Sequence, residues 1–519
     1  MHAPSRDAGL TRTRASTPAS IAAAALLVGL VLVNVYRAYT QSVVYDEAFT
    51  YLAFLSGPLG LVFTEFTANN HVLFSLLARL STGAFGVSEL ALRLPTVLAG
   101  IMYFITVFAL CRLVFGHGLV SFITVAALSL NPFILDFLSA ARGYGLALAL
   151  FTVALYQLTR LLVQDHVACD SRWLAPSLAL ALCVCANLAF LPPAAALACA
   201  ALMTGAVGEY AERRVVPAAA LRRAALWLAL PGVVVASAFL AVPLSHATSD
   251  HFFFGASTLG QTITSLVEPS LRHDAGAWPI SAPEVPPAAL SRAVAWGVVV
   301  PTMLVAAGVA CVSMIRTVRM GPEGRWDLLD RFLALVGGTT ALTLLLLVCA
   351  HASLDVPYPF ARTGLYFIPL VVLAMAALAQ KLNRSAKSLQ RALAGVILVA
   401  LGLSIGRFAA TFTVTYYYEW RYDAGSRAIF DLITGWPRAA DSDVITVAAS
   451  RWLFSPSLNF YRVTRRDAGI EPVDDGWEPG QRDYAFFVVS PADLERAQRV
   501  GNPVYVDPVS GAVLLLSRR

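Results

Sequence analysis

Long uninterrupted apolar runs alternate along this chain with short polar segments that are often basic. The runs fall at about 21–39, 90–115, 119–138, 144–163, 173–188, 189–207, 225–244, 293–315, 332–350, 364–380 and 392–412. Runs of roughly 20 residues are what an α-helix needs to cross a bilayer, so the pattern predicts about eleven transmembrane helices. The first run follows a polar start carrying Arg6, Arg12 and Arg14. It is too long for the apolar part of a signal peptide, and no small-residue cleavage site follows it, so it is expected to remain as a span. The division within 173–207 is placed near Pro192-Pro193.

Composition sharpens this picture. Of 519 residues, 58% are hydrophobic and 13% charged, against about 25% charged in a soluble domain. The mean hydropathy is +0.67. The solvent for this much apolar surface has to be lipid. The net charge of +6 is not gathered on one basic face, which argues against a nucleic-acid partner. The arginines and lysines recur between runs instead, at Arg160 and Arg172, at Arg213, Arg214, Arg222 and Arg223, at Arg316, Arg319, Arg325 and Arg331, and at Lys381, Arg384, Lys387 and Arg391. A cytoplasmic N-terminus puts every one of these clusters inside, as the positive-inside rule requires. Three hydrophilic stretches then face outward: a first loop at 40–89, a second at about 245–292 and a tail from about 413. The chain is thus read as a multi-pass protein of the inner (plasma) membrane, with residues 1–413 as the membrane domain and 414–519 as an extracytoplasmic one.

That tail reads as a small α/β domain. The segments 444–448 and 484–489 have the composition of buried strands. Ser490-Pro491 reads as a helix cap followed by proline at the first helical position, and 502–506 with 512–516 suggests a terminal hairpin turning at Ser510-Gly511. No G-x-G-x-x-G or phosphate-loop pattern is present, which counts against a nucleotide site. The seven cysteines lie in or beside apolar runs and read as small core residues rather than a disulfide or metal framework.

Candidate chemistry starts just beyond the first run, at Asp46-Glu47. Two adjacent carboxylates close to a membrane surface are costly to keep without a use, although acidic residues also favour the first turn of a helix. A short amphipathic stretch follows to Leu55, and Gly57-Pro58 breaks it. Asn70-His71-Val72-Leu73 then opens a second stretch, and Glu89-Leu90-Ala91-Leu92-Arg93-Leu94-Pro95 leads into the next run. Further on stand Ala141-Arg142-Gly143-Tyr144 and Arg362 with Tyr366 and Pro369. Arg93 is expected to pair with Glu89 one turn away, and Asp136 with Arg142. Arg407, in the last run, has no partner legible in the sequence.

In that order the motifs resemble the membrane-embedded GT-C glycosyltransferases, in particular the branch of protein O-mannosyltransferases, lipid A aminoarabinose transferases and dolichyl-phosphate-mannose-type transferases. The family pattern is an Asp-Glu pair after the first span, a His-Pro-Pro-Leu-like segment, then Glu-x-Ala-x-Arg-x-Pro, with Ala-Arg-x-Tyr and Arg-Tyr-x-x-Pro elements later. The resemblance is clearest over 20–150 and thins to about 415. It implies an inverting transfer of a sugar from a polyprenyl-phosphate donor to an acceptor hydroxyl at the outer face. It assigns Asp46 as general base with Glu47 as runner-up, Arg142 and Arg362 as ligands of the donor phosphate, and His71 to the place where relatives have a residue near that phosphate or a metal, read here as a phosphate ligand. Substrate contacts are expected at Asn70, Tyr144 and Tyr366; Glu268, in Leu266-Val267-Glu268-Pro269 of the second loop, is read apart from the resemblance as facing the acceptor. The acceptor is a glycan, a lipid or a protein, and membrane lipids are the remaining partners. Val72-Leu73 stand where relatives have Pro-Pro, and Asn70 where some carry an acidic residue. No cofactor is indicated, and the acidic ligand that would argue for a divalent metal is missing at that place. His246, His251 and His273 with Asp250, Asp274 and Glu268 in the second loop match no metal-ligand spacing. Tyr416-Tyr417-Tyr418-Glu419-Trp420-Arg421 reads as an interfacial aromatic belt, with sugar stacking as its sharper alternative.

The rival class is a transporter or flippase. It calls for broken helices in matching positions of two repeats and charges near the bilayer midplane. The charges here cluster instead at helix ends and in the outer loops.

Overall fold

The computed structural model describes residues 18–67, 69–163, 170–215, 218–248, 251, 254–271, 289–320, 326–437, 444–465, 469–477 and 482–518. Eight helices among them are long and apolar enough to cross a membrane: Pro18–Thr40, Glu89–Phe115, Gly143–Val163, Leu188–Ala211, Ala218–Ser245, Ala289–Met320, Leu328–Leu354 and Ser388–Thr411. Three shorter apolar helices, Leu119–Ser129, Ser171–Ala186 and Phe367–Asn383, occupy the other positions at which the sequence predicts spans. The chain is a polytopic α-helical membrane protein with a small C-terminal sheet.

Two predicted spans are shaped differently from expectation. The run at 119–138 is broken at Asn131, whose side chain accepts from the Ile134 N–H and caps a separate turn, Pro132–Phe137, with proline at its first position. The pair within 173–207 divides at Asn187, which is extended (φ −162°, ψ 119°) and caps the turn that follows by accepting from Ala189 N–H. Pro192 and Pro193 sit in the first turn of the next helix, where a missing N–H costs nothing, so they begin a helix rather than end one.

The helix Gly143–Val163 lies near the centre, 67% of its most apolar stretch being buried, whereas Ala218–Ser245, Ala289–Met320 and Ser388–Thr411 bury 11% of theirs and leave their apolar side chains for lipid. Glycine allows the central helix its neighbours. A Cβ at Gly143 would stand 2.0 Å from the carbonyl oxygen of Ala186 and 2.7 Å from Cβ of His71, and one at Gly145 would stand 1.9 Å from the carbonyl of Phe137.

The C-terminal strands are β1 (Val447–Ala449), β2 (Asp474–Asp475), β3 (Phe486–Val489), β4 (Gly501–Val506) and β5 (Val513–Ser517). They form one sheet in the order β2-β1-β3-β5-β4. The two predicted strands and the terminal hairpin are present as β1, β3 and β4–β5. Gly511 supplies the positive φ (73°) at the hairpin, and Ser490 caps the turn Pro491–Asp493 by accepting from Asp493 N–H. The two-residue β2 was not legible, because nothing apolar marks Asp474-Asp475. The buried core runs without interruption from the helices into this region, taking in Tyr417, Trp420, Phe430, Tyr461 and Leu514. Cys111, Cys183 and Cys185 are buried as expected, while Cys199, Cys311 and Cys349 are exposed, and no described cysteine is in a disulfide.

Candidate active site

Immediately after the first helix the chain turns into a short helix, Tyr45–Thr50, continued by a wider turn, Tyr51–Leu55. Asp46 and Glu47 lie in its first turn, where helix N–H groups favour acidic side chains. Adjacent residues on a helix point about 100° apart, and here the two carboxylates meet different surroundings.

Glu47 is fully buried and saturated. Arg93 grips it through Nε at 2.8 Å and a terminal nitrogen at 2.6 Å. Its Oε2 also accepts from Val44 N–H at 3.0 Å, and its Oε1 from Ala141 N–H. The other donors of Arg93 reach the carbonyls of Ala38, Gln41 and Ser42. This corrects the Glu89–Arg93 pairing: Glu89 pairs with Arg427 at 2.6 Å, and Arg93 staples the turn between the first helix and Asp46. With every lone-pair direction occupied, Glu47 has no oxygen free to take a proton from a substrate.

Asp46 is 6% exposed, and its Oδ2 has no hydrogen-bond partner. Two guanidinium groups converge on that oxygen, Arg142 and Arg362, each at 3.7 Å, beyond hydrogen-bond reach. Both are held from behind. Arg142 donates to Thr50 Oγ1 at 3.0 Å, to Asn69 Oδ1 at 2.8 Å and to the Asp46 carbonyl. Arg362 donates to Glu419 at 2.6 Å and lies between the rings of Phe254 (4.5 Å) and Trp420 (5.9 Å). Its turn, Ala361–Gly364, begins with Ala361 at φ 47°, a left-handed conformation costly for a side-chain-bearing residue. That turn is tied down by Ala361 N–H to Ser265 Oγ at 2.8 Å and Phe360 N–H to Thr363 Oγ1 at 2.8 Å.

His71 is buried against Tyr144, ring centroids 5.1 Å apart. Burial first, then the charges of Arg142 and Arg362, hold its imidazole well below the usual histidine range, so it is neutral. Its Nε2 has no hydrogen-bond partner, and the same is true of the Nε atoms of Arg142 and Arg362, of Glu419 Oε1 and of the Tyr366 hydroxyl. Buried polar atoms in native proteins are almost always paired. The unpaired atoms of His71, Arg142, Arg362 and Glu419 belong to the side chains grouped around Asp46 and are the atoms a polar ligand there would meet.

The structure thus brings Asp46, His71, Arg142, Tyr144 and Arg362 together. Asn70 is placed otherwise than expected. Its amide donates to the carbonyls of Val62 and Glu65 at 3.0 and 2.8 Å and holds the loop, while its neighbour Asn69 faces Arg142. Glu268 is half-buried on the helix Leu259–Leu271, which packs against the Arg362 turn. The Tyr366 ring meets Phe190 edge-on at 5.3 Å. Asp136 pairs with Arg37 rather than Arg142, and its Oδ2 accepts from Tyr418 N–H at 2.7 Å. Arg407 donates to the carbonyl of Leu271 at 3.3 Å. His246 bonds to Val242 and His251 to Thr248, each within its own turn, and His251 meets the ring of Phe66 at 5.3 Å; Asp250, His273 and Asp274 lie outside the described residues.

The aromatic segment 416–421 is not a belt. Tyr417, Tyr418 and Trp420 are buried in protein, and the Tyr417 ring lies under both Arg37 (4.9 Å) and Arg93 (5.3 Å). Glu419 within it went unrecognised in the sequence. It is buried, and burial raises its carboxyl above the usual range, an effect partly offset by Arg362. Its signal was a lone acid among aromatics, which a surface belt would also produce.

Fold and site together define a class: a polytopic membrane protein with a buried centre of one open carboxylate and two anchored arginines at one end of its helices. No family model matches the chain, and no curated protein does. Among solved structures it is similar to ArnT from Cupriavidus metallidurans bound to undecaprenyl phosphate, at 14% identity and TM-score 0.41, covering 96% of this chain and 98% of that one. The apo state of the same protein gives 13% identity and TM-score 0.42 over the same shares. The arabinosyltransferase EmbB from Mycobacterium smegmatis gives 15% identity and TM-score 0.35, over 81% of this chain and 44% of that one.

Proposed function

We propose that this protein is a GT-C-type inverting glycosyltransferase that moves a sugar from a polyprenyl-phosphate donor to an acceptor hydroxyl at the outer face of the inner membrane. The observation that carries the reading is the Asp46 Oδ2 atom, buried, without a hydrogen bond and 3.7 Å from each of two arginines. A base and a phosphate clamp are needed within one sugar's length of each other, and this arrangement supplies both.

In this reading the donor phosphate binds between Arg142 and Arg362, whose planar forks suit phosphate oxygens. Neutral His71 donates from Nε2 to the same phosphate. The acceptor hydroxyl approaches Asp46, which takes its proton as the oxygen attacks the anomeric carbon. The bond from that carbon to the phosphate oxygen breaks with its electron pair, and the charge gathering on the leaving polyprenyl phosphate is met by the two fixed guanidiniums. Glu47 takes no proton; with Arg93 it sets the position of Asp46. Tyr144 and Tyr366 contact the sugar and Glu268 the acceptor, and Asn69 replaces Asn70 as the polar side chain on the donor side. The C-terminal region, residues 414–519, is the extracytoplasmic domain.

The test is turnover. Purified protein in lipid nanodiscs is offered a panel of polyprenyl-phosphate sugars together with glycan, lipid and peptide acceptors. Release of polyprenyl phosphate with inverted configuration in the product is expected. Passage of an uncleaved lipid-linked substrate across proteoliposomes, without release, would overturn the reading in favour of a flippase.

A further inference from the structure

The segment that carries Asp46 is fixed on one side by Arg93 and on the other by groups 378 to 418 positions away in sequence. The N–H of Tyr45, the first residue of the short helix, donates to Asp423 Oδ2 at 2.6 Å. The N–H of Val43 donates to the hydroxyl of Tyr461 at 2.8 Å, and the Ser42 hydroxyl to the carbonyl of Ala424 at 2.8 Å. The ring of Tyr51, past the end of that helix, meets Phe460 edge-on at 5.1 Å. Asp423 is fully buried, and its other oxygen accepts from Ser426 Oγ at 2.7 Å. Its own segment is wedged in place: a Cβ at Gly425 would meet Asp507 at 2.4 Å, and Arg421 donates to the Val509 carbonyl at 3.0 Å.

The first N–H groups of a helix have no partner within it, and a six-residue helix has too few internal bonds to hold its own direction. Its orientation is therefore set by whatever receives those N–H groups. Here a buried carboxyl group from the C-terminal region receives the N–H of Tyr45, which adjoins the proposed base, and a phenol from the same region holds the N–H of Val43, two residues before the helix.

We infer that Asp423 and Tyr461 are positioning residues, a clamp from the C-terminal region that aims Asp46 at the acceptor hydroxyl. This rests on the transferase reading given above for its catalytic consequence, but the clamp itself is a structural statement that can be tested alone. The clamp touches neither arginine, and Arg362 through Glu419 and Arg142 through Asn69 keep anchors outside the base's helix, so loosening it falls first on the base. Its signature is a fall in kcat without a matching rise in KM for the donor.

The experiment uses the full chain in nanodiscs, with Asp423→Ala, Asp423→Asn and Tyr461→Phe. Misplacement by about 1 Å costs on the order of a hundredfold in rate. Asp423→Ala and Tyr461→Phe are thus expected to lower kcat by about 10- to 100-fold while KM for the polyprenyl-phosphate sugar stays within about twofold. Asp423→Asn keeps an acceptor oxygen and is expected to restore most of the rate. Hydrogen–deuterium exchange over residues 42–50 reads the clamp without turnover: the backbone amides there should exchange faster in Asp423→Ala and Tyr461→Phe. Should Asp423→Ala not fold, Tyr461→Phe, which keeps the ring, carries the test. Unchanged exchange over 42–50 in the folded variants overturns the inference, as does a rise in donor KM with kcat intact. If the wild type turns over no donor, the transferase reading fails while the exchange result still decides the clamp.

Discussion

Two neighbouring carboxylates in this protein have opposite environments. Glu47 accepts four hydrogen bonds, two from Arg93 and two from backbone N–H groups, whereas Asp46 Oδ2 accepts none. Breaking a buried ion pair by removing one partner strands the other charge and costs about 3–5 kcal/mol. Glu47→Gln leaves Arg93 in that state and is expected to lower stability by about that much, seen as a large drop in the thermal unfolding midpoint in nanodiscs. Asp46→Asn gives up only the looser 3.7 Å contacts to Arg142 and Arg362, with no hydrogen bond at Oδ2 to lose, and is expected to cost clearly less than Glu47→Gln. Equal stability losses in the two variants would contradict these separate roles. The sequence displays the pair but not the division of labour, since Arg93 lies 46 residues beyond Glu47 and nothing local distinguishes it from a partner for Glu89.

At the scale of elements, the short helix that carries Asp46 depends on its receivers, and one of them titrates. Burial pushes the Asp423 carboxyl from its ordinary 3.8 up to about 8, with the negative charge of Asp46 adding to the rise and hydrogen bonds from Ser426, Ser457 and Tyr45 N–H opposing it. The folded chain keeps this proton over a range where the unfolded chain has released it. The stability contributed is therefore whole below about pH 4 and is lost as pH rises towards about 8. Asp423→Asn is expected to flatten that part of the stability curve between those limits, read as unfolding midpoints across pH. An unchanged slope would show that Asp423 is not the titrating group. Elements of this kind were the hardest to read from the sequence. Long apolar runs announce themselves because lipid requires every residue of a span to be apolar or paired. A six-residue helix fixed by Asp423, 378 positions from Tyr45, carries no periodic signal. Segment 416–421 had a signal with two meanings, because tyrosines and a tryptophan after a span suit a lipid interface and a buried junction equally.

For the whole molecule, the reading places Asp46 and the C-terminal region on one side of the membrane and the basic connections on the other. Trp452, 66% exposed in the C-terminal region, and Arg384, 54% exposed beside Asp327, sample the two sides. In a background without native cysteines, Trp452→Cys is expected to react with a membrane-impermeant maleimide on intact cells, and Arg384→Cys only after permeabilisation. The reverse pattern would place the site on the cytoplasmic face and remove the outer-face assignment. The charge pattern that predicts this orientation is written locally in the sequence. The site is not, because its parts come from the ends of helices spread from Asp46 to Glu419 and meet only when the bundle closes.

The claim on which the rest depends is that Asp46 removes a proton from the acceptor while the arginines hold the donor. The most direct measurement is single-turnover release of polyprenyl phosphate by the wild type and by Asp46→Asn, under conditions that turn over the wild type and with folding matched. The account predicts a loss of at least about 100-fold in rate for Asp46→Asn, within the range expected for removing a general base, with donor affinity preserved. Release by Asp46→Asn at the wild-type rate would contradict it and place the chemistry elsewhere in the molecule.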